Sequence, residues 1–225
     1  MRVRAANPSA LTLDGTNTYV VGGWIVDPGP ADPDHVAAVR AAAPDGLEGV
    51  VLTHAHADHA EAAPLLGAPV VQPGDGQTAG PFSAIATPGH SGDSVSLVLD
   101  ERICFTGDTV LGTGSVFIAP GEGSLSAYLA SLERLRQLPL QVLCPGHGPY
   151  VWDPSAKLDE YISHRLEREQ RLLSALDAGL RTQDELLDSA WSDAPAKLRY
   201  FAGLSLASHL EKLDEEGRLP EGVER

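Results

Sequence analysis

Four residues with metal-ligating side chains fall within six positions, His54, His56, Asp58 and His59, directly after the apolar run Val50-Val-Leu52. A buried strand that ends in such a string must deliver its side chains to one shared centre. Positions 54 and 56 are two apart, so an extended segment can point both the same way. Imidazole and carboxylate together suit Zn²⁺, and also Mn or Fe. Four donors are more than one ion with an open position uses, so the string predicts two ions.

Further donors stand in similar settings downstream. Thr87-Pro-Gly-His90 precedes an apolar run, Phe105-Thr-Gly-Asp108 ends one, and Cys144-Pro-Gly-His147 ends another. Each sets a His or Asp beside glycine, where the backbone can approach closely. His35, His164 and His209 lie on helical patterns and read as packing or surface residues. Cys104 and Cys144 sit in apolar runs and read as packed thiols rather than nucleophiles or a disulfide framework.

Around these donors the first 150 residues alternate short apolar runs with Gly/Pro turns. Strands are expected at 17–21, 24–26, 50–53, 69–71, 94–99, 102–105 and 141–144, and helices at 32–43, 57–66 and 124–138. From Ser155 the pattern is helical. The apolar residues Leu158, Tyr161, Ile162, Leu166, Leu172, Leu173 and Leu176 trace an amphipathic helix. Thr182-Gln-Asp-Glu185 reads as a capping box, and 197–216 as a third helix. The boundaries drawn are 1–154 for the catalytic part and 155–225 for a winged-helix-like helical part.

In this order the motifs His54-x-His56-x-Asp58-His59, His90, Asp108 and His147 resemble the metallo-β-lactamase superfamily. The resemblance implies an α/β fold, an αββα sandwich, with two divalent metal ions. It implies one ion on His54, His56 and His90, the second on Asp58, His59 and His147, and Asp108 bridging, with Asp58 also orienting the nucleophile. Asn7-Pro-Ser9, Gly15-Thr-Asn-Thr-Tyr19 and Lys157-x-x-x-Tyr161-x-x-His164-Arg165-x-x-Arg168-Glu169 are similar to the β-lactamase-like protein 2 group, which carries a C-terminal winged-helix-like module. That likeness implies a hydrolase using metal-activated water on an ester, thioester or phosphodiester. Eukaryotic members of the group act on single-stranded RNA, and relatives include thioesterases. Asp at position 108, rather than Cys, points away from antibiotic hydrolysis. Ala60-Glu61 stands where the family usually has Gly-Gly.

Charge divides the substrate classes. The 225 residues carry 31 acidic and 16 basic side chains, a net −15. Residues 151–225 alone are net −6. Neutralising a phosphate backbone needs the opposite sign, so double-stranded DNA is not an expected partner and RNA is disfavoured. Arg165, Arg168 and Arg171 form the one basic stripe, read as a solvated face balanced by Glu167 and Glu169. The loop 112–123, with Phe117, is expected to border the substrate. Asn17, Thr18 and Tyr19 read as a structural corner.

The N-terminus lacks an apolar leader and no stretch reaches membrane-span length, so a cytoplasmic protein without a membrane partner is expected. A metal-binding interaction module without turnover is the non-enzymatic alternative. Flavodiiron-type redox chemistry would need an acidic residue where Ala57 stands. The helical tail could pack on the catalytic part or join an oligomer.

Overall fold

The computed structural model describes residues 1–224, and they form two five-stranded sheets flanked by helices. The first sheet is ordered β1 (Arg2–Arg4), β2 (Asn17–Val21), β3 (Trp24–Val26), β4 (Gly49–Val51), β5 (Val70–Val71). β1–β2–β3 is antiparallel, and β4 and β5 add in parallel. The second sheet runs β10 (Val142–Pro145), β9 (Ile103–Gly107), β8 (Val95–Leu99), β7 (Phe82–Ala86), β6 (Thr78–Ala79). Only its β9–β10 pair is parallel.

Alternation along the strands builds the layers. Tyr19, Val26 and Val51 face the second sheet and meet Phe82, Leu97 and Phe105 between the sheets. Their neighbours Val20, Ile25 and Val50 point outward, onto Val39 of α1 (Pro33–Ala41) and Leu66 of a 3₁₀ turn (Ala63–Leu66). On the far side, Val98, Cys104 and Leu143 pack under α3 (Leu125–Arg136) and the start of α4 (Pro154–Asp177). The order is helix, sheet, sheet, helix. Because each sheet is covered on both faces, its central strands read as unbroken apolar runs rather than alternating ones.

The expected strands all form, within a residue or two. β1, β6 and β7 have no counterpart among them: Phe82-Ser-Ala-Ile-Ala86 is made largely of small residues whose strand character comes from pairing with β8. The expected helix over 57–66 is shorter. α2 (Ala57–Ala60) yields to the 3₁₀ turn, with Pro64 in its first turn. Asp32 caps α1 and Ser124 caps α3, and Thr182 with Glu185 forms the expected capping box on α5 (Gln183–Ala190).

α4 links two cores. Leu158, Tyr161 and Ile162 pack against the second sheet, whereas Leu172, Ala175 and Leu176 join α5 and α6 (Arg199–Glu215) around Leu186, Leu206 and Leu213. The expected helices are present. No strand follows them among the described residues, so the winged-helix likeness rests on the helices alone.

Candidate metal centre

The parallel pairs β3–β4 and β9–β10 send their carboxyl ends to the same edge of the sandwich, and the ligand-type residues sit there. Thr53 and His54 follow β4, Asp108 follows β9 and His147 follows β10. His90 lies in the turn between β7 and β8. All seven residues singled out in the sequence come together.

They form two trios. Donor atoms of His54, His56 and His90 lie within 4.8 Å of one another, as do those of Asp58, His59 and His147. His56 Nδ1 is 3.0 Å from His54 Nε2 and 3.1 Å from His90 Nε2. In the second trio His59 Nε2 is 3.2 Å from His147 Nε2, and Asp58 Oδ2 is 3.2 Å from that same atom. Asp108 lies between them: Oδ1 is 3.4 Å from both His59 Nε2 and His147 Nε2, and Oδ2 is 3.8 Å from His90 Nε2.

Two glycines permit this crowding. A Cβ on Gly146 would lie 2.5 Å from the His59 ring and 2.8 Å from Asp108 Oδ1. Gly107 has φ +49°, and a Cβ there would meet Thr53 Oγ1 at 2.3 Å.

The donor chemistry fits cations. One ring nitrogen cannot hydrogen-bond both neighbours that face His56 Nδ1, yet three lone pairs converging there suit one ion. Asp108 Oδ1 is buried without a hydrogen bond. Burial pushes the His54 imidazole down to about 3 and lowers His90, so both are neutral, as ligands must be. His147 and His59 go the other way. Burial pulls each down, but Asp108 outweighs it, joined by Asp58 at His147 and by Asp27 at His59. His147 rises to about 9, so an ion entering this trio displaces the imidazole protons. The Asp108 carboxyl, despite burial, is held well below its usual range by His59 and His147, and Asp58 is lowered mainly by His147. That field draws positive charge to the second trio.

One positioning group escaped the sequence reading. Asp27, 2 % exposed at the end of β3, accepts from Thr53 N (2.8 Å) and Thr53 Oγ1 (2.7 Å), and its Oδ2 lies 2.9 Å from His59 Nδ1. It fixes the ring whose other nitrogen faces the centre, the usual outer support of a metal-binding histidine. Thr53 Oγ1 in turn meets His54 Nδ1 at 3.0 Å. The only signal was an acid at the end of an apolar run, before Pro28-Gly29.

Other expectations resolve here. Asn17 Nδ2 donates to the carbonyls of Pro145 and Gly148, and Tyr19 OH to Pro145 O, so this corner braces the His147 loop. Glu61 accepts from Ala31 N, away from the ligands. His35 and His209 are buried in packing. Burial pushes both cysteine thiols up to about 12, which removes them as nucleophiles. Of the arginine stripe only Arg171 keeps the expected solvated place, paired with Glu167. Arg165 is 2 % exposed, Arg168 pairs with Asp193, and Glu169 is buried against Lys212 and Arg218.

Above the ligands opens a cleft of about 670 Å³. Asp58, Asp108 and His147 reach it, beneath walls carrying Leu11, Leu111, Phe117 and Phe201. Among the described residues no lysine or arginine lines it. Among the described residues no helix is long and apolar enough to cross a membrane.

The model of the metallo-beta-lactamase superfamily matches residues 11–71 and 68–147. A beta-lactamase-like protein 2 homolog of Caenorhabditis elegans is 31% identical over an alignment of 255 positions, covering 96% of this chain and 84% of the relative. An atrochrysone carboxyl ACP thioesterase of Aspergillus chevalieri is 35% identical over 204 positions, covering 78% of this chain and 65% of the relative. Among solved structures, a metallo-beta-lactamase family protein of Thermus thermophilus shares the fold, with a TM-score of 0.74 at 22% identity over 96% of this chain and 93% of that one.

Proposed function

The chain belongs to the metallo-beta-lactamase superfamily as a metal-dependent hydrolase, and from that premise we propose that it hydrolyses a thioester or ester at a dinuclear centre. The observation that carries this reading is the cleft: ligand side chains at its base, apolar walls, and among the described residues no lysine or arginine in its lining. Beyond the scissile group, which the ions themselves would face, the flanking phosphates of a single-stranded RNA would bring charge against walls that offer no basic side chain among the described residues. A neutral acyl group meets no such cost. The likeness to an ACP thioesterase supports the same choice.

In this reading His54, His56 and His90 hold one ion, Asp58, His59 and His147 the other, and Asp108 serves both. When bound, two divalent cations, zinc being the first expectation and Mn or Fe compatible, polarise the substrate carbonyl and lower the pKa of a water towards ~7. The chain's own groups do the rest. Asp27 and Thr53 lock the His59 and His54 rings. Asp58, about one-third exposed beside His147, also orients the attacking water. A thiolate leaving group needs little protonation near neutral pH, which agrees with the absence of a further acid in the cleft lining. Residues 1–154 are taken as the catalytic unit and 155–225 as the helical one, a division supported by the separate core around Leu186 and Leu206.

The test is the zinc-loaded protein assayed in parallel on a chromogenic acyl thioester and a labelled single-stranded RNA, with Asp58→Ala beside it. Thioester turnover that disappears in Asp58→Ala, with intact RNA, is expected. RNA cleavage lost in Asp58→Ala, with an inert thioester, would overturn the reading.

A further inference from the structure

Two distant segments meet over the cleft. Phe117, on the loop after β9, has its ring 6.2 Å from the His90 ring and 5.4 Å from Phe201. Phe201 lies in the first turn of α6, and Leu198, just before that helix, is 39% exposed at the same cleft. Thus an apolar surface beside the ligands is completed by side chains from the C-terminal helices.

Behind it stands Arg165. Its Nη2 donates to Ser115 Oγ at 3.2 Å and to the Val116 carbonyl, and its Nη1 to Ser205 Oγ at 3.3 Å on α6. Its guanidinium lies 5.5 Å from the Tyr128 ring centroid. No carboxylate pairs with it among the described residues. Burying an arginine without a counter-ion is costly, and Nε here has no hydrogen-bond partner, but Nη1 and Nη2 together join groups on both segments at once. This also accounts for Arg165 of the His164-Arg165 motif, which the metal centre leaves unused.

We propose that Phe117, Leu198 and Phe201 form the wall that selects the acyl group, and that Arg165 is the positioning residue joining its two halves. The preferred substrate then carries an apolar acyl chain longer than acetyl, and the helical unit is part of the substrate site. The cleft volume, about 670 Å³, suits such a ligand. The inference deepens the thioester reading and rests on it.

The experiment compares kcat/KM for decanoyl and acetyl thioesters of one thiol, in the zinc-loaded full chain. Phe201→Ala and Leu198→Ala are expected to lower the decanoyl-to-acetyl ratio roughly tenfold, mainly through KM for the decanoyl substrate. Glu211→Ala is the control. Glu211 is exposed on the same helix and does not line the cleft, so its ratio stays at the wild-type value, whereas Tyr200 would not serve because its ring packs on Phe201 at 5.5 Å. Arg165→Lys keeps the charge without the planar fork and is expected to move the ratio in the same direction. A wild-type ratio in Arg165→Lys, with only its melting temperature reduced, would overturn the positioning role. Unchanged ratios in both wall variants would overturn the wall.

Should the wild type turn over no thioester, the failure belongs to the activity reading. The wall is then read by fluorescence of the neutral probe N-phenyl-1-naphthylamine. Binding that decanoate displaces, and that is weakened in Phe201→Ala, upholds an acyl wall. Absence of binding removes it.

Discussion

Apart from Arg165, buried charge gathers at two networks in this protein, and the two are finished differently. Among the C-terminal helices, Glu169 accepts from Lys212 at 2.6 Å and from Arg218 at 3.0 Å, and Lys212 also reaches Glu216 at 2.6 Å. Each charge there meets its opposite, and the network closes on protein atoms. At the sheet edge, ring nitrogens confront ring nitrogens at 3.0 to 3.2 Å, and Asp108 Oδ1 accepts no hydrogen bond. Folding does not leave buried polar groups unmatched without reason, because each costs about 1–3 kcal/mol. Satisfied charge marks architecture; convergent, unsatisfied donors mark a place completed by a ligand.

The largest effect should come from the unsatisfied side. Asp108→Ala takes away the carboxylate shared by both trios. Hydrolysis is expected to fall to background and metal content per chain to drop, read by initial rates and elemental analysis. Chelation of the wild type should do the same, with recovery on adding zinc. A fully active Asp108→Ala protein would break the comparison, since Asp108 would then be no more than a buried charge.

The satisfied side should respond in stability. Lys212→Met leaves Glu169 with only the half-exposed Arg218. Stability in urea is expected to drop by about 3 kcal/mol, with kcat/KM unaltered. Unchanged stability would mean that the pair merely offsets its own desolvation.

Asp27 belongs to both categories, being fully hydrogen-bonded yet joined to the centre through His59. Asp27→Asn keeps the size and loses the charge. Metal affinity and activity are expected to fall by about 10–100-fold, measured by competition with a zinc indicator and by steady-state rates. A change in folding stability with normal zinc affinity would return Asp27 to the architectural group.

Asp27 also shows where the sequence ceased to be legible. His54, His56, Asp58 and His59 could be read because so dense a string of donors after a strand serves little besides a metal site. The layers could be read because the central strands, covered on both faces, are uniformly apolar. Asp27 is one acid at a strand end, and its importance depends on β3 pairing with β4, which places it beside Thr53. Phe201 was hidden for a similar reason: helical spacing does not reveal that α6 begins above a cleft built from residues 9–13 and 108–117. Arg165 differs from its expected solvated place because a stripe of arginines spaced for one helix face does not tell which of them the next helix will cover.

The smallest effect tests whether exposure alone separates the two kinds of charge. Arg199 opens α6 and pairs with Asp184 at 2.9 Å and Asp188 at 2.7 Å, all three well exposed. Solvent and salt screen such pairs, and ordering three side chains offsets part of the attraction. Arg199→Ala should therefore lower stability only marginally, a difference that vanishes in ~1 M salt. Its place is what makes it informative, because it lies between Leu198 and Phe201 in the chain. If the pair only decorates the surface, the decanoyl-to-acetyl ratio remains that of the wild type. A lowered ratio at low salt, restored at high ionic strength, would instead show that α5 sets the angle of the wall. The contrast would then lie in what each charged group holds in place, more than in how deeply it is buried.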